Sequence, residues 1–390
     1  MLAELTSPNQ DNSVEVGSFA ATLSPHDPLP RWLVATKQKQ IFSPESTVAS
    51  LENFEKAVRL APNDFRWWIE LGRALEQSDR PEDAEKALRQ AVLLAPAYTF
   101  PRWQLGNFYL RQERPDESFA ELIKTAEKST VYRDQVFSLA WDYFDNDTAK
   151  VEELANSTPE SRASLAKFYA SRSRPKDSLR IWNMLDDGQK AQNASAAKVI
   201  AKILIDKVLF NEAVEFARQS GSDPDARSET ITNGDFENPI AVTEDSLFGW
   251  KINRTVGGVD TAADSTVKRK GTRSLKTTFR NFEKPMVYTI HQTVSLETQG
   301  SYRLNFWVRT ENLKSGGPPF LEIADCRNEK VVKSSIPFPV GTSDWQEISV
   351  EFIVPEGCQG IVVRTTRVYC GEQCPLVGTF WYDDFNIVRQ

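Results

Sequence analysis

Histidine is nearly absent: 390 residues hold two, His26 in a proline-rich stretch and His291 in an alternating apolar run. A Ser-His-Asp relay would have to use one of them, and neither sits in a recognisable nucleophile motif. No glycine-rich phosphate cradle occurs. Asp383 and Asp384 are adjacent in a strand-like segment, which predicts opposite faces and no shared glycosidic bond between them. Surplus positive charge is lacking too. The formal net charge is −7, which offers neither phosphate neutralisation nor polybasic anchoring. No apolar run approaches the roughly 18 residues of a transmembrane helix. The opening MLAELTSPNQDNSVEVGSF lacks the basic start and apolar stretch of a signal peptide, although a trimmed or mature chain would have lost an export signal or anchor. The expectation is a non-enzyme with no nucleic-acid partner, meeting a membrane only through an anchor outside this sequence.

Cysteine is missing from the first 325 residues; Cys326, Cys358, Cys370 and Cys374 all come later. Cys370-Gly-Glu-Gln-Cys374 is a short loop that a bridge can close, leaving Cys326 and Cys358 as a second pair. Free core thiols and a four-cysteine zinc site are the other readings, but zinc pairs are usually spaced by two residues and these by three. Disulfides belong to oxidising compartments, which predicts a bacterial periplasmic, cell-envelope or secreted protein.

What is present in the first half is a 34-residue period. Pro28, Pro62 and Pro96 are spaced by 34, as are Gly72 and Gly106, Pro81 and Pro115, and Ala57 and Ala91. Trp68, Leu71 and Leu75 recur at helical spacing, with Gly72 small enough to admit a second helix. Arg80-Pro81-Glu82-Asp83 starts that helix, with proline in the first turn and acids at its positive end. Ala84, Leu88 and Ala91 form its inward stripe, and Pro96 ends the unit. Unit starts fall at Arg31, Phe65, Thr99 and Arg133. The next comes near Pro159, only 26 residues on, so the fourth unit is short by eight and its second helix, near 148–156, stunted. A final hairpin at about 193–219 makes six.

Trp68, Leu71, Gly72, Leu75, Ala84, Leu88, Ala91 and Pro96 resemble the tetratricopeptide repeat (TPR) family. The resemblance implies an α-α superhelical TPR solenoid over 28–220, after a polar N-terminal extension at 1–27. Its concave groove would be lined by first helices: Arg66, Ile69 and Arg73, then Trp103, Asn107 and Arg111, then Phe137 and Trp141. Such a groove holds an extended peptide or a partner's helix. The competing reading is that Trp103 and Trp141 pack between hairpins. Some family members clamp a C-terminal carboxylate; Asn107 and Arg111 fit part of that pattern, while Ile69 and Trp103 replace its basic positions.

Gly, Ser, Pro and Asp cluster in QSGSDPDARSE at 219–229, predicting a linker at 221–230. Alternation then takes over. Tyr302, Leu304, Phe306 and Val308, then Ile348, Val350 and Phe352, put apolar side chains on one face, with turn signals between the runs. Eight to ten short strands predict a β-sandwich over 231–390 and a multidomain chain, α then β. The phrases ITNGDFENP, FGW, GTRSLKTTF, DWQEISVEFIVPEG and FWYDDFNI, in that order, resemble the jelly-roll carbohydrate-binding modules attached to bacterial xylanases, cellulases and laminarinases. That resemblance implies that the first and last strands lie together and hold a structural calcium, with Asp235, Glu237 and Asp383 at the matching positions. Asp383 alternates in step with Trp381, Phe385 and Ile387, predicting that it points to the core; capping backbone amides or pairing with an arginine are its other readings.

Sugar recognition needs a flat aromatic face beside hydrogen-bonding groups. With Leu304, Phe306 and Val308 inward, Asn305, Trp307 and Arg309 face out, and His291 faces out on the preceding strand; the four are expected to share one sheet face, with Tyr369 at a loop. Trp250 and Trp345 read as packing residues, and the competing reading of Trp307 is packing against the solenoid. The chain is therefore expected to bind a protein or peptide through the groove and a polysaccharide through the sandwich, in polysaccharide assembly or export. A scaffold whose sandwich takes no sugar, and an accessory subunit of a polysaccharide-degrading system, are the alternatives.

Overall fold

The computed structural model describes residues 13–41, 43–155, 158–240, 246–253, 257–284, 288–371 and 374–390. The chain divides into two compact units, Met1–Ser161 and Arg162–Gln390. Helices fill the first unit and continue to Ser220; among the described residues, ten strands follow from Lys251. The change from helix to strand therefore lies inside the second unit. No described helix is long and apolar enough to cross a membrane.

In the first unit, helices α1 (Ser13–Leu23) and α2 (Pro28–Lys39) are followed by α3 (Pro44–Leu60), α4 (Phe65–Gln77), α5 (Pro81–Leu94), α6 (Thr99–Arg111) and α7 (Pro115–Lys128). Next come α8 (Thr130–Tyr143) and the six-residue α9 (Thr148–Glu153). The starts at Phe65 and Thr99 coincide with the predicted ones, and α9 is the stunted helix; α1 lies in the segment read as a polar extension. Gly106 shows why a glycine recurs every 34 residues: a Cβ there would stand 2.7 Å from Leu122 Cγ on the facing helix. The turns repeat as well. Asp79 and Glu113 adopt φ near +55°, and the next amides, of Arg80 and Arg114, donate back to the Leu75 and Tyr109 carbonyls at 3.0 and 2.9 Å. That is the 6→1 bond that closes a helix end. Proline then opens the following helix, where its missing N–H has no partner to lose.

The second unit begins with α10 (Pro159–Ser171), α11 (Pro175–Asn183), α12 (Asp187–Gln192), α13 (Ala194–Asp206) and α14 (Phe210–Ser220). The segment read as a linker is fastened rather than free. Buried Asp223 accepts from Ser246 Oγ, Leu247 N and Phe248 N at 2.8–3.2 Å, and Glu229 N donates to the Ser295 carbonyl. Ser295 Oγ also donates to Asn211 of α14 at 2.6 Å.

The strands are β1 (Lys251–Ile252), β2 (Val259–Asp264), β3 (Ser274–Phe282), β4 (Ile290–Ser295), β5 (Ser301–Lys314), β6 (Pro319–Asp325), β7 (Val331–Ser334), β8 (Gly341–Ile353), β9 (Gly360–Arg367) and β10 (Leu376–Arg389). They form two five-stranded antiparallel sheets, ordered β1-β4-β9-β6-β7 and β2-β3-β10-β5-β8, packed as a jelly-roll sandwich. Phe306, Phe338, Phe380, Tyr382 and Phe385 meet between the sheets, with Phe306 and Phe385 stacked at 5.0 Å. Burying each contributes about 1.5–3 kcal/mol. The opening segment lies against the last strand as expected: Phe385 N donates to the Gly234 carbonyl at 2.8 Å, and Trp250 is buried beside Phe385.

Two alternation-based expectations fail here. Strand β10 carries a bulge at Asp384, with φ +53°, so its phase changes midway. Phe380 and Tyr382 point inward before the bulge, Phe385 and Ile387 after it. Asp383 is 1% exposed, yet it is covered on the outer face by the 265–273 loop rather than pointing into the core. The bulge also brings both adjacent acids to one arginine: Asp383 accepts from Arg269 N and Asp384 from the Arg269 guanidinium. His291 is the second failure. The 296–300 connection crosses between sheets, so β4 pairs with β9, and His291 sits opposite Arg364 on the sheet that Trp307 is not part of.

Candidate functional site

On the outer face of the β2-β3-β10-β5-β8 sheet lies an open, polar depression of about 740 Å³, whose lining includes Asn305, Trp307, Glu347, Asn386, Arg269 and Lys270. Strand register sets its floor. Trp307 stands between Asp383 and Glu347, and Asn305 faces Asn386 across the β5–β10 pair. No described residue hydrogen-bonds the Asn305 or Asn386 side chain.

The 265–273 loop forms one wall, and carboxylates fix it from below. Asp383 Oδ2 accepts from the amides of Arg269 and Lys270 at 2.9 and 3.4 Å. Glu237 accepts from Thr272 N, Thr272 Oγ1 and Arg273 N at 2.5–3.2 Å. Asp264 caps Thr266 N and accepts from the Trp381 indole. Burial pushes the Asp383 carboxyl up against the pull of these amides. Glu237, which is half-buried, is held down by the Thr272 hydroxyl and the two amides. Arg269 leaves this loop to lay its guanidinium 3.7 Å above the Trp307 ring while pairing with Asp384. One face of Trp307 is thus occupied by a planar cation, a stable stacking arrangement. Further along the strand Arg309 and Lys276 approach buried Trp381 at 5.8 and 5.5 Å.

Of the expected sugar-contacting residues, Asn305 and Trp307 line the depression, and Arg309 shares their strand face. His291 lies on the other sheet, where burial and the charges of Lys251 and Arg364 favour its neutral form. Tyr369 is 68% exposed on the β9–β10 loop. Within the second unit, β5 lies between β8 and β10, and α14 meets the sandwich at Ser295 of β4. The sequence reading missed Arg269, Lys270 and Asn386. The basic run Lys268-Arg269-Lys270 before β3 was the available signal for the first two.

The expected calcium carboxylates do not converge. Among the described residues, the ligand-type side chains that group within 4.8 Å are Asp325, Cys326 and Cys358, whereas Glu237 and Asp383 spend their oxygens on backbone amides. As placed, Asp235, Glu237 and Asp383 do not fit a carboxylate cage for a hard cation. Cys370 and Cys374 are bonded. The second expected bridge is not formed: Cys326 and Cys358 are thiols with sulfurs 3.1 Å apart, and Cys358 donates to the Gly360 carbonyl.

On the helical unit, α2, α3 and α4 enclose a cleft of about 690 Å³ lined by Trp32, Thr36, Lys39, Glu70, Arg73 and Gln77. Burial, then the Arg73 charge, lowers the Lys39 ammonium. Arg73 was expected here; Trp32 and Lys39 were missed. Arg66 is exposed, paired with Asp64, and Arg111 bridges α6 to α4 through a two-pronged pair with Glu76 at 2.8 Å. Asn107 donates to the Trp103 carbonyl, and Trp103 lies against Tyr132 in a tilted pair with ring centroids 5.0 Å apart. Trp141, Phe137 and Ile69 are buried, so packing rather than groove exposure claims them.

Residues 228–366 match the family described as Carbohydrate binding domain, and residues 66–98 match Tetratricopeptide repeat. The Peroxisomal targeting signal receptor of Saccharomyces cerevisiae is 37% identical over 57 residues, 15% of this chain and 9% of that protein's length. Among solved structures, one titled "CBM4 structure and function" is 17% identical, covering 41% of this chain and 99% of that one, with a TM-score of 0.31. YrrB, titled a TPR protein with an unusual peptide-binding site, is 14% identical, covering 53% and 91%, with a TM-score of 0.27.

Proposed function

We propose that the chain is a non-catalytic, exported or cell-envelope binding protein. Its helical repeats take a protein or peptide partner, and its sandwich takes a glycan, in polysaccharide assembly or export. The family matched by the sandwich is a binding module by description, and stacked helical repeats present surfaces that suit a partner. The Cys370–Cys374 bond fits an oxidising compartment. The observation that carries the glycan reading is the depression over β5 and β10. There the unpaired amides of Asn305 and Asn386 flank the stacked Trp307–Arg269 pair, placing hydrogen-bonding groups beside a flat surface. The cleft bearing Trp32, Lys39 and Arg73 suits an extended peptide with acidic and aromatic side chains.

Titration of the full chain against a panel of soluble glycans tests the reading. Wild type is expected to bind at least one neutral polysaccharide, with Trp307→Ala and Asn305→Ala each weakening it by about tenfold or more, as loss of a stacking or hydrogen-bonding contact does. One feature favours a second reading, a scaffold without sugar binding: the Arg269 guanidinium already covers a face of Trp307. Wild type that binds no glycan supports that reading and ends the first.

A further inference from the structure

Arg367, at the end of β9, is 4% exposed and has no carboxylate partner among the described residues. Its guanidinium donates to the carbonyls of Gly317 and Lys284 at 3.2 Å and to Ser315 Oγ at 2.9 Å. It also donates to both sulfurs of the disulfide, Cys370 at 3.3 Å and Cys374 at 3.2 Å. The other buried arginine of this strand, Arg364, is treated conventionally, with Glu322 at 2.6 Å and Glu329 at 2.9 Å. A buried guanidinium without a counter-charge is costly, and neutral acceptors offset only part of that cost. The surroundings are built to hold sulfur at this cation. A Cβ on Gly317 would stand 2.5 Å from Cys370 Sγ and 2.0 Å from the Val368 carbonyl, so only glycine lets the two loops close over it. The two sulfurs differ in access: Cys374 is 6% exposed, while Cys370 is half-buried beside exposed Tyr369.

We propose that Cys370–Cys374 is a site of reversible thiol–disulfide exchange with a small monothiol or a partner protein's thiol, Cys370 being attacked and Arg367 receiving Cys374 as the leaving thiolate. The incoming thiolate bonds to Cys370 Sγ, the Cys370–Cys374 bond breaks, and its electron pair leaves on Cys374 Sγ. One negative charge enters with the attacker and one resides on Cys374, so no outside oxidant or reductant is needed. Cys374 thiolate returns the loop to its starting state by attacking the mixed disulfide. A second monothiol instead releases the symmetric disulfide and leaves Cys370 as a thiol after protonation by water. A cation beside a thiolate lowers its pKa, and a leaving thiol of lower pKa departs faster.

The test incubates the folded full chain with glutathione at pH 7, quenches with acid and maps the adducts by peptide mass spectrometry, which separates this loop from the Cys326 and Cys358 thiols. The expected result is a glutathione adduct on Cys370, formed about tenfold or more faster than in Arg367→Gln, with Arg367→Lys in between. In reduced wild type, alkylation of Cys374 is expected to have its midpoint at least about one pH unit below the ordinary thiol value of about 8.5 seen in urea. Three results overturn the proposal: an adduct confined to Cys374, a native loop unreacted while the unfolded chain reacts, or a Cys374 midpoint equal to that in urea. All three are read on wild type, so they decide the matter even where Arg367→Gln misfolds.

Discussion

Glu85 on α5 takes three donors at once: Arg114 at 2.6 Å, Arg89 at 2.8 Å and the Tyr109 hydroxyl at 3.0 Å. Burial alone would raise its carboxyl, but these donors hold it at about 2. Its folded pKa lies below the unfolded one, so its stabilisation is present above the unfolded carboxylate range and is lost as pH falls towards 2. Glu85→Gln should therefore lower the melting temperature at pH 7 and lower it much less at pH 2–3, read by circular dichroism melts at both. The carboxylates around Trp307 lead to a different expectation. Because Glu237 and Asp383 are satisfied by amides, adding excess EDTA should leave the sandwich's melting temperature unchanged; a clear drop would mean these acids hold a cation after all. At this scale the sequence was half legible. Asn305 and Trp307 followed from alternation along β5. Arg269 did not, because a loop residue reaches a strand through carboxylates distant in sequence, and no local period records that.

The repeat hairpins were legible to the residue at Phe65 and Thr99, whereas α2 and α8 begin at Pro28 and Thr130, ahead of the starts read at Arg31 and Arg133. Glycine has opposite worth at two nearby positions. Gly106→Ala gains about 1 kcal/mol of helix propensity but drives its Cβ against Leu122, an overpacking cost of about 1–3 kcal/mol, so a net loss near 1 kcal/mol is expected in urea unfolding. Glu113 sits in the left-handed region that glycine occupies freely, and Glu113→Gly should gain about 0.5–1 kcal/mol in the same assay. In the sandwich, alternation gave the side of each strand but not its sheet, since a five-residue connection serves equally as a hairpin or a crossing. His291 was misplaced for that reason. Asp383 was misplaced because one bulge residue resets a period of two.

Across the whole chain, the Ser-, Pro- and Asp-rich stretch after α14 reads as a hinge by composition and behaves as a strut by hydrogen bonding. Asp223→Ala would strip three donors of their acceptor in a buried site, and a loss of about 2 kcal/mol is expected in the urea transition of the full chain. Strand order has another consequence. The central strand of each sheet is among the last two of the ten: β9 between β4 and β6, and β10 between β3 and β5. On the ribosome the helical hairpins, whose contacts are mostly near neighbours, can fold as they emerge. The eight earlier strands cannot; each half-sheet waits with an unpaired inner edge until β9 and β10 are made. That interval, during which four inner edges stand open, is when this protein is most exposed to mispairing and most dependent on a chaperone.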